Sequence, residues 1–202
     1  MIFTPQNISY SEVSQVLQKD GVIVYPTETV YGIGCVFDSE IGKKKIYEIK
    51  NRNEKLPLSI LVNSVEMLEE IGVKISDLGF FLIKNCWVAP LTLIFEFGKT
   101  TLGARIPQNE FCLKILSEIK KPIFSTSANI SQSGKSDPIS IKEIDSEITQ
   151  NVDCLIDFGA LETPIPSTVA DVSKNELKIL REGAYSSEKL RSLYTDFLNQ
   201  KL

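Results

Sequence analysis

The chain has 202 residues, 43% hydrophobic and 24% charged, a net charge of −4 and no histidine. That length and composition fit one globular domain spanning residues 1–202, and the negative balance excludes broad coating of nucleic acid. The missing histidine removes the commonest general base and the commonest nitrogen ligand for a metal.

Ser9-x-x-Glu12 is a capping-box pattern, followed by Val13, Val16 and Leu17 at helical spacing and stopped by Gly21. Residues 22–25 form a short β-rich run ended by Pro26. Residues 39–50 predict a helix with Ile41, Ile46 and Ile49 inward and residues 43–45 largely outward. A buried strand over 57–62 and helices over 64–71 and 76–86 follow. Strands over 91–97 and 102–106 flank Gly98-Lys99, a helix spans 109–119, and a strand runs over 123–125. A polar loop over 132–138 precedes Ser140-x-x-Glu143, which opens another helix. Strands over 154–158, 168–172 and 177–180 come next. The last helix carries Leu190, Leu193, Tyr194, Phe197 and Leu198 on one face. Strands and helices interleave, so the class is α/β, and the irregular alternation favours a mixed sheet.

Cys35, Cys86, Cys112 and Cys154 are far apart, sit in apolar neighbourhoods and form no C-x-x-C pair. They read as buried free thiols, and no protein metal site is expected. No basic and apolar leader opens the chain, and no run approaches the roughly 18 apolar residues of a spanning helix. A cytoplasmic protein without a membrane segment is the expectation.

Three stretches could carry chemistry. Lys50 and Arg52 close a helix, where they either complement its dipole in solvent or hold phosphate, Arg52 through its planar fork. The stretch from Pro26 to Gly34 leaves a strand at the usual ligand edge of an α/β sheet, and Gly32 and Gly34 permit positive φ or close backbone approach. It is neither a Walker A loop nor a G-x-G-x-x-G fingerprint. Ser125-Thr126-Ser127-Ala128-Asn129 packs three hydroxyls and an amide after a strand, as a ligand loop or a helix cap. Ser167 and Arg181 flank late strands, and Arg181 could simply pair with Glu182.

In order and spacing, these stretches resemble the YrdC/Sua5 family of threonylcarbamoyl-AMP synthases. The residues that carry the likeness are Tyr25 to Gly34, Lys50-x-Arg52 with Pro57-Leu58, Pro90-Leu91-Thr92, Arg105-x-Pro107, Ser125 to Ser131, Pro166 to Val169 and Ile179 to Gly183. The likeness spans roughly residues 12–185.

The resemblance implies a twisted mixed β-sheet with flanking helices enclosing a concave basic cavity, in the short single-domain form. It implies a nucleotidyltransferase that makes threonylcarbamoyl-adenylate from L-threonine, bicarbonate or CO₂, and ATP with Mg²⁺, releasing pyrophosphate for t⁶A modification of tRNA. Expected partners are the downstream tRNA threonylcarbamoyl-transferase complex and a tRNA contact. By the same resemblance Lys50, Arg52, Ser127 and Asn129 are the catalytic set. ATP would meet Lys50, Arg52, Thr101, Ser127 and Arg181, and threonine would meet Thr29, Arg105, Ser125 and Ser167. The chain departs from the family pattern where Leu56 replaces a polar residue and where the loop Gln132 to Ser136 is longer than the common S-G-x-P form, and Leu61 stands where some members carry histidine. Two other functions fit the same residues, a non-catalytic RNA-binding module and a paralogue acting on another carbamate.

Overall fold

The computed structural model describes residues 1–134, 136–162 and 165–200. In chain order its strands are β1 (Ile2–Phe3), β2 (Ile23–Tyr25), β3 (Gly32–Val36), β4 (Ser59–Leu61), β5 (Val73–Lys74), β6 (Leu91–Phe97), β7 (Thr100–Arg105), β8 (Ile123–Ser127), β9 (Cys154–Ile156), β10 (Thr168–Asp171) and β11 (Lys178–Arg181). The helices are α1 (Tyr10–Gln18), α2 (Glu40–Ile49), α3 (Val65–Glu70), α4 (Asp77–Cys86), α5 (Glu110–Ile119), α6 (Ser146–Asn151) and α7 (Ser187–Asn199). None is long and apolar enough to cross a membrane among the described residues.

The strands form one twisted mixed sheet in the order β1-β9-β2-β3-β8-β4-β7-β6-β10-β11, with β5 beside β6. Pairing is parallel at β1–β9, β2–β9, β4–β7 and β6–β10 and antiparallel elsewhere. Helix starts follow the sequence chemistry: Ser9, Ser39, Ser64, Ser76, Asn109 and Ser186 each accept a backbone N–H at the cap.

Strand alternation sorts side chains onto two faces. Val24, Ile33, Ile60, Phe124, Ala104 and Leu93 lie in the larger core cluster. Ile23, Tyr25, Val36, Leu61 and Ile123 point the other way, into a smaller cluster with α1 and α5. On that second face the register sets Gly34 opposite Ser125, Ser59 opposite Ser125, and Gly32 opposite Ser127. The apolar face therefore gives way to glycine and serine, which fill little volume and leave a recess.

Several details differ from the sequence reading. The stretch after Tyr31 is itself a strand, β3, because Gly32 and Gly34 pair with both β2 and β8. Neither glycine takes positive φ; a Cβ on Gly34 would run into the carbonyl oxygen of Phe124, so close backbone approach is what the glycine permits. Ile41 is 68% exposed and not inward. Helix α2 instead turns Gly42, Ile46 and Ile49 inward, and a Cβ on Gly42 would lie 2.7 Å from that of Cys35. Ser140 opens only a short 3-10 turn, Ile141–Glu143, before α6. The four cysteines are free, and three of them are buried.

Candidate functional site

A cavity of about 240 Å³ opens over the glycine and serine face. Its floor is β4 and the start of β3, and its walls come from the ends of further strands and from two loops. Thr29 follows β2, Ser125 and Ser127 end β8, Arg105 ends β7, Thr92 opens β6, Ser167 precedes β10 and Arg181 ends β11. Arg52 enters from the turn after α2, and Asp137 from the loop after β8. Arg52, Arg105 and Arg181 thus converge from parts of the chain far apart in sequence.

The Lys50-Asn51-Arg52 turn explains how two neighbouring cations come to differ. Lys50 caps α2, and Asn51 takes the left-handed conformation at φ 48°. Asn51 N–H then donates to Glu48 (3.0 Å) and Arg52 N–H to Tyr47 (2.8 Å), which is the Schellman closure of a helix. The turn sends Arg52 to the cavity, where it donates to the Pro57 carbonyl at 3.0 Å. Its Nε is buried without a partner.

Lys50 goes the other way. Its side chain is 1% exposed and does not line the cavity. The ammonium donates to the carbonyl oxygens of Ser127 and Asn129 and to Asn129 Oδ1 at 3.3 Å. Three protons meet three acceptors, so Lys50 ties the end of β8 to the end of α2. Burial pushes its pKa down to about 7, Arg52 adds to that, and Asp137 opposes it. Lys50, expected from the resemblance to meet ATP, here fastens the end of β8 and the loop after it to the end of α2. Asn129 likewise does not line the cavity; its amide bridges Lys50, Ser127 (2.8 Å) and Asp137 (3.1 Å).

Arg105 is held by Glu28 Oε1 at 2.8 Å and Thr29 Oγ1 at 3.1 Å, all from one side of its fork. Thr29 and Thr27 share a hydrogen bond of 3.0 Å, and Thr27 donates to the Val30 carbonyl at 2.7 Å. Thr27 Oγ1 also accepts from the N–H groups of Thr29 (3.1 Å) and Val30 (3.2 Å), and Thr29 Oγ1 accepts from Arg105. Arg181 chelates the Ser167 carbonyl through Nε (3.1 Å) and Nη2 (2.8 Å), and Ser167 bonds Thr92 at 2.9 Å. Burial lowers the Arg181 pKa; Asp137 counters this and Arg105 reinforces it. Ser125 accepts from the buried Tyr25 hydroxyl at 2.7 Å.

Of the residues expected from sequence, Arg52, Ser127, Arg181, Thr29, Arg105, Ser125 and Ser167 line one cavity. Thr101 does not. It is exposed near the hairpin end of β7, and four residues of strand, on the order of 13 Å, separate it from Arg105. Leu61 lines the cavity, whereas Leu56 is outside it and 38% exposed. Sequence reasoning did not assign Glu28, which sits within the recognised motif beside Thr29, or Asp137, whose loop gives no local signal. Lys135 in that loop lies outside the described residues.

The profile of the Sua5/YciO/YrdC family, described as telomere recombination, matches residues 15–183. The chain belongs to this family. It is 32% identical over 187 residues to the threonylcarbamoyl-AMP synthase of Pyrococcus abyssi, covering 88% of this chain and 54% of that protein. The chain therefore spans about half the length of that curated relative. Sua5 of P. abyssi complexed with L-threonine superposes with a TM-score of 0.86 at 29% identity, covering 96% of this chain and 60% of the other. Escherichia coli YciO shares the fold, with a TM-score of 0.81 at 24% identity over 94% of this chain and 98% of YciO.

Proposed function

We propose that the chain synthesises threonylcarbamoyl-adenylate from L-threonine, bicarbonate or CO₂, and ATP, serving t⁶A modification of tRNA. The observation that carries this reading is the convergence of Arg52, Arg105 and Arg181 with serine and threonine hydroxyls in one cavity. An amino acid and a nucleotide bring a carboxylate and phosphates together, and guanidinium forks suit both. Similarity to the P. abyssi synthase and to Sua5 with L-threonine supports the same assignment.

The chemistry asks little of a general base. The threonine ammonium loses one proton to solvent, its nitrogen forms an N–C bond to CO₂, and loss of a second N–H proton to solvent leaves a carbamate. A carbamate oxygen then attacks the α-phosphorus of ATP, and the bond to the β-phosphate oxygen breaks to release pyrophosphate. The protein aligns the two substrates and neutralises charge. Arg105, with one side of its fork fixed by Glu28 and Thr29, is oriented to grip the threonine carboxylate. Arg52 and Arg181 receive phosphate oxygens, and Ser125 and Ser127 complete the polar wall. Mg²⁺ brought in with ATP would offset phosphate charge. Among the lining residues Asp137 is the one carboxylate that could reach it.

Pyrophosphate release from ATP tests the reading. Release that requires both threonine and bicarbonate is expected; equal release without threonine overturns it. The same assay separates an RNA-binding module, which would ignore threonine.

A further inference from the structure

We propose that Asp137 is a positioning residue that sets the hydrogen-bond polarity of the cavity, acting through Asn129 so that Ser127 meets a ligand as an acceptor. The argument rests on which groups can only donate and which can only accept.

Asn129 lies between two such groups. Below about pH 7, where it is an ammonium, Lys50 can only donate, and it faces Asn129 Oδ1 at 3.3 Å. An ionised Asp137 can only accept, and its Oδ1 takes a hydrogen bond from Asn129 Nδ2 at 3.1 Å. Both ends of the amide are therefore assigned by their partners, and turning it over would set donor against donor and acceptor against acceptor. Ser127 Oγ lies 2.8 Å from Asn129 Oδ1, an atom that cannot donate. The single Ser127 proton must go to Asn129. What Ser127 offers the cavity is a lone pair.

Ser125 has the opposite sense. Its oxygen accepts from Tyr25 at 2.7 Å, which leaves the Ser125 proton available. Two serines on one strand face, two residues apart, thus differ in polarity. Ser125 suits a carboxylate or phosphate oxygen, and Ser127 suits an N–H or O–H of the ligand. Asp137 is well placed to hold this arrangement, because the backbone beside it is fixed. Pro138 accepts from Tyr31 N–H and Ile139 accepts from Leu161 N–H, both at 2.8 Å. The Ile139 N–H donates to Glu143 at 3.1 Å.

The test has two arms, and only the second rests on the proposed adenylate synthesis. The first is ¹⁵N spectroscopy of the Asn129 side-chain amide, identified as the pair of signals missing in Asn129→Ser. In Asp137→Ala that pair should shift and exchange with water at least tenfold faster. In Asp137→Asn, which keeps an acceptor oxygen, it should stay protected. The second arm is a double-mutant cycle on kcat/KM for pyrophosphate release. Asp137→Ala should lose about tenfold, the effect of one hydrogen bond to a charged group. In a Ser127→Ala background the same change should cost less than about twofold, since there is no hydroxyl left to orient. Additive losses, or an amide pair unmoved in Asp137→Ala, would overturn the proposal. Asp137→Asn as damaging as Asp137→Ala would assign the effect to charge and overturn it as well. Absence of threonine-dependent release in the wild type would sink the adenylate reading, and the spectroscopic arm would still decide the polarity.

Discussion

Replacing Lys50 with methionine separates two forces that act on one buried ammonium. Burial favours the neutral amine and brings the pKa from an ordinary 10.5 down to about 7. Three oxygen acceptors favour the charged form. If burial wins, the unfolded chain binds more protons than the folded one between pH 7 and about pH 10. Stability then rises with pH across that window, because the folded state no longer carries the cost of a buried charge. A shift of that size makes the wild type gain about 2 kcal/mol between pH 7 and pH 9 from this group alone. Lys50→Met lacks the titrating amine, so its stability should not show that gain. Other lysines titrate in both proteins and cancel in the difference. Urea unfolding of the two proteins at pH 7, 8 and 9 measures the quantity directly. The expected result is a wild-type advantage that widens with pH. A difference that stays flat would mean the three acceptors hold the ammonium charged throughout, and the burial argument would fall.

Arg52→Ala should lower threonine-dependent pyrophosphate release by tenfold to a hundredfold, on the order of 1.5–3 kcal/mol for a charged hydrogen bond, with thermal unfolding little changed. Arg52→Lys should recover only part, since a point charge cannot replace the fork; full activity in Arg52→Ala would return Arg52 to a helix-end role. Arg105→Ala should weaken threonine binding in calorimetry far more than ATP binding, while serine binds wild type more weakly than threonine and valine worst of all. Undiminished threonine affinity in that variant, or valine binding as well as threonine, would displace the amino acid from this end of the cavity. Asn51→Gly should leave stability within about 0.5 kcal/mol, and Asn51→Val should cost on the order of 1–3 kcal/mol and reduce activity, because the left-handed turn aims Arg52. Equal stability of the two variants, read by chemical denaturation, would show that the turn is not strained by a branched side chain.

Much of the sheet was legible because its strands are apolar runs bounded by Pro, Gly and polar clusters, as at Leu91–Phe97. The failures have a physical pattern. Strand β3 reads Gly-Ile-Gly-Cys-Val, and two glycines in five residues look like a turn until β8 is seen pressing against them. Ile41 is apolar in the right window, yet Gly42 brings α2 so close to β3 that the helix face is set by the glycine. The site was legible as a set of motifs, since seven of the ten expected residues meet in one cavity. Their orientation was not. Sequence gives Lys50 and Arg52 as a pair of cations one residue apart, but the φ of Asn51 sends one inward and the other to the cavity. Thr101 shares a strand with Arg105 but sits at its far end, outside the cavity lining.

A site without histidine must discriminate through hydrogen-bond direction, and the hydroxyl pairs near the cavity show how. Thr29 is expected, by the resemblance, to meet threonine. Its oxygen accepts from Arg105 at 3.1 Å. Ser127 is fixed as an acceptor by Asn129, and Ser125 in the opposite sense by Tyr25. The cavity therefore holds fixed donors in three arginines and Ser125, and a fixed acceptor in Ser127. A zwitterionic amino acid with a side-chain hydroxyl carries both kinds of partner, its carboxylate for the arginines and its N–H and O–H groups for the acceptor. Valine supplies the carboxylate and the amine but no side-chain donor, and so has one fewer group to meet that acceptor. That asymmetry needs no titrating base, only hydroxyl protons committed elsewhere by the fold.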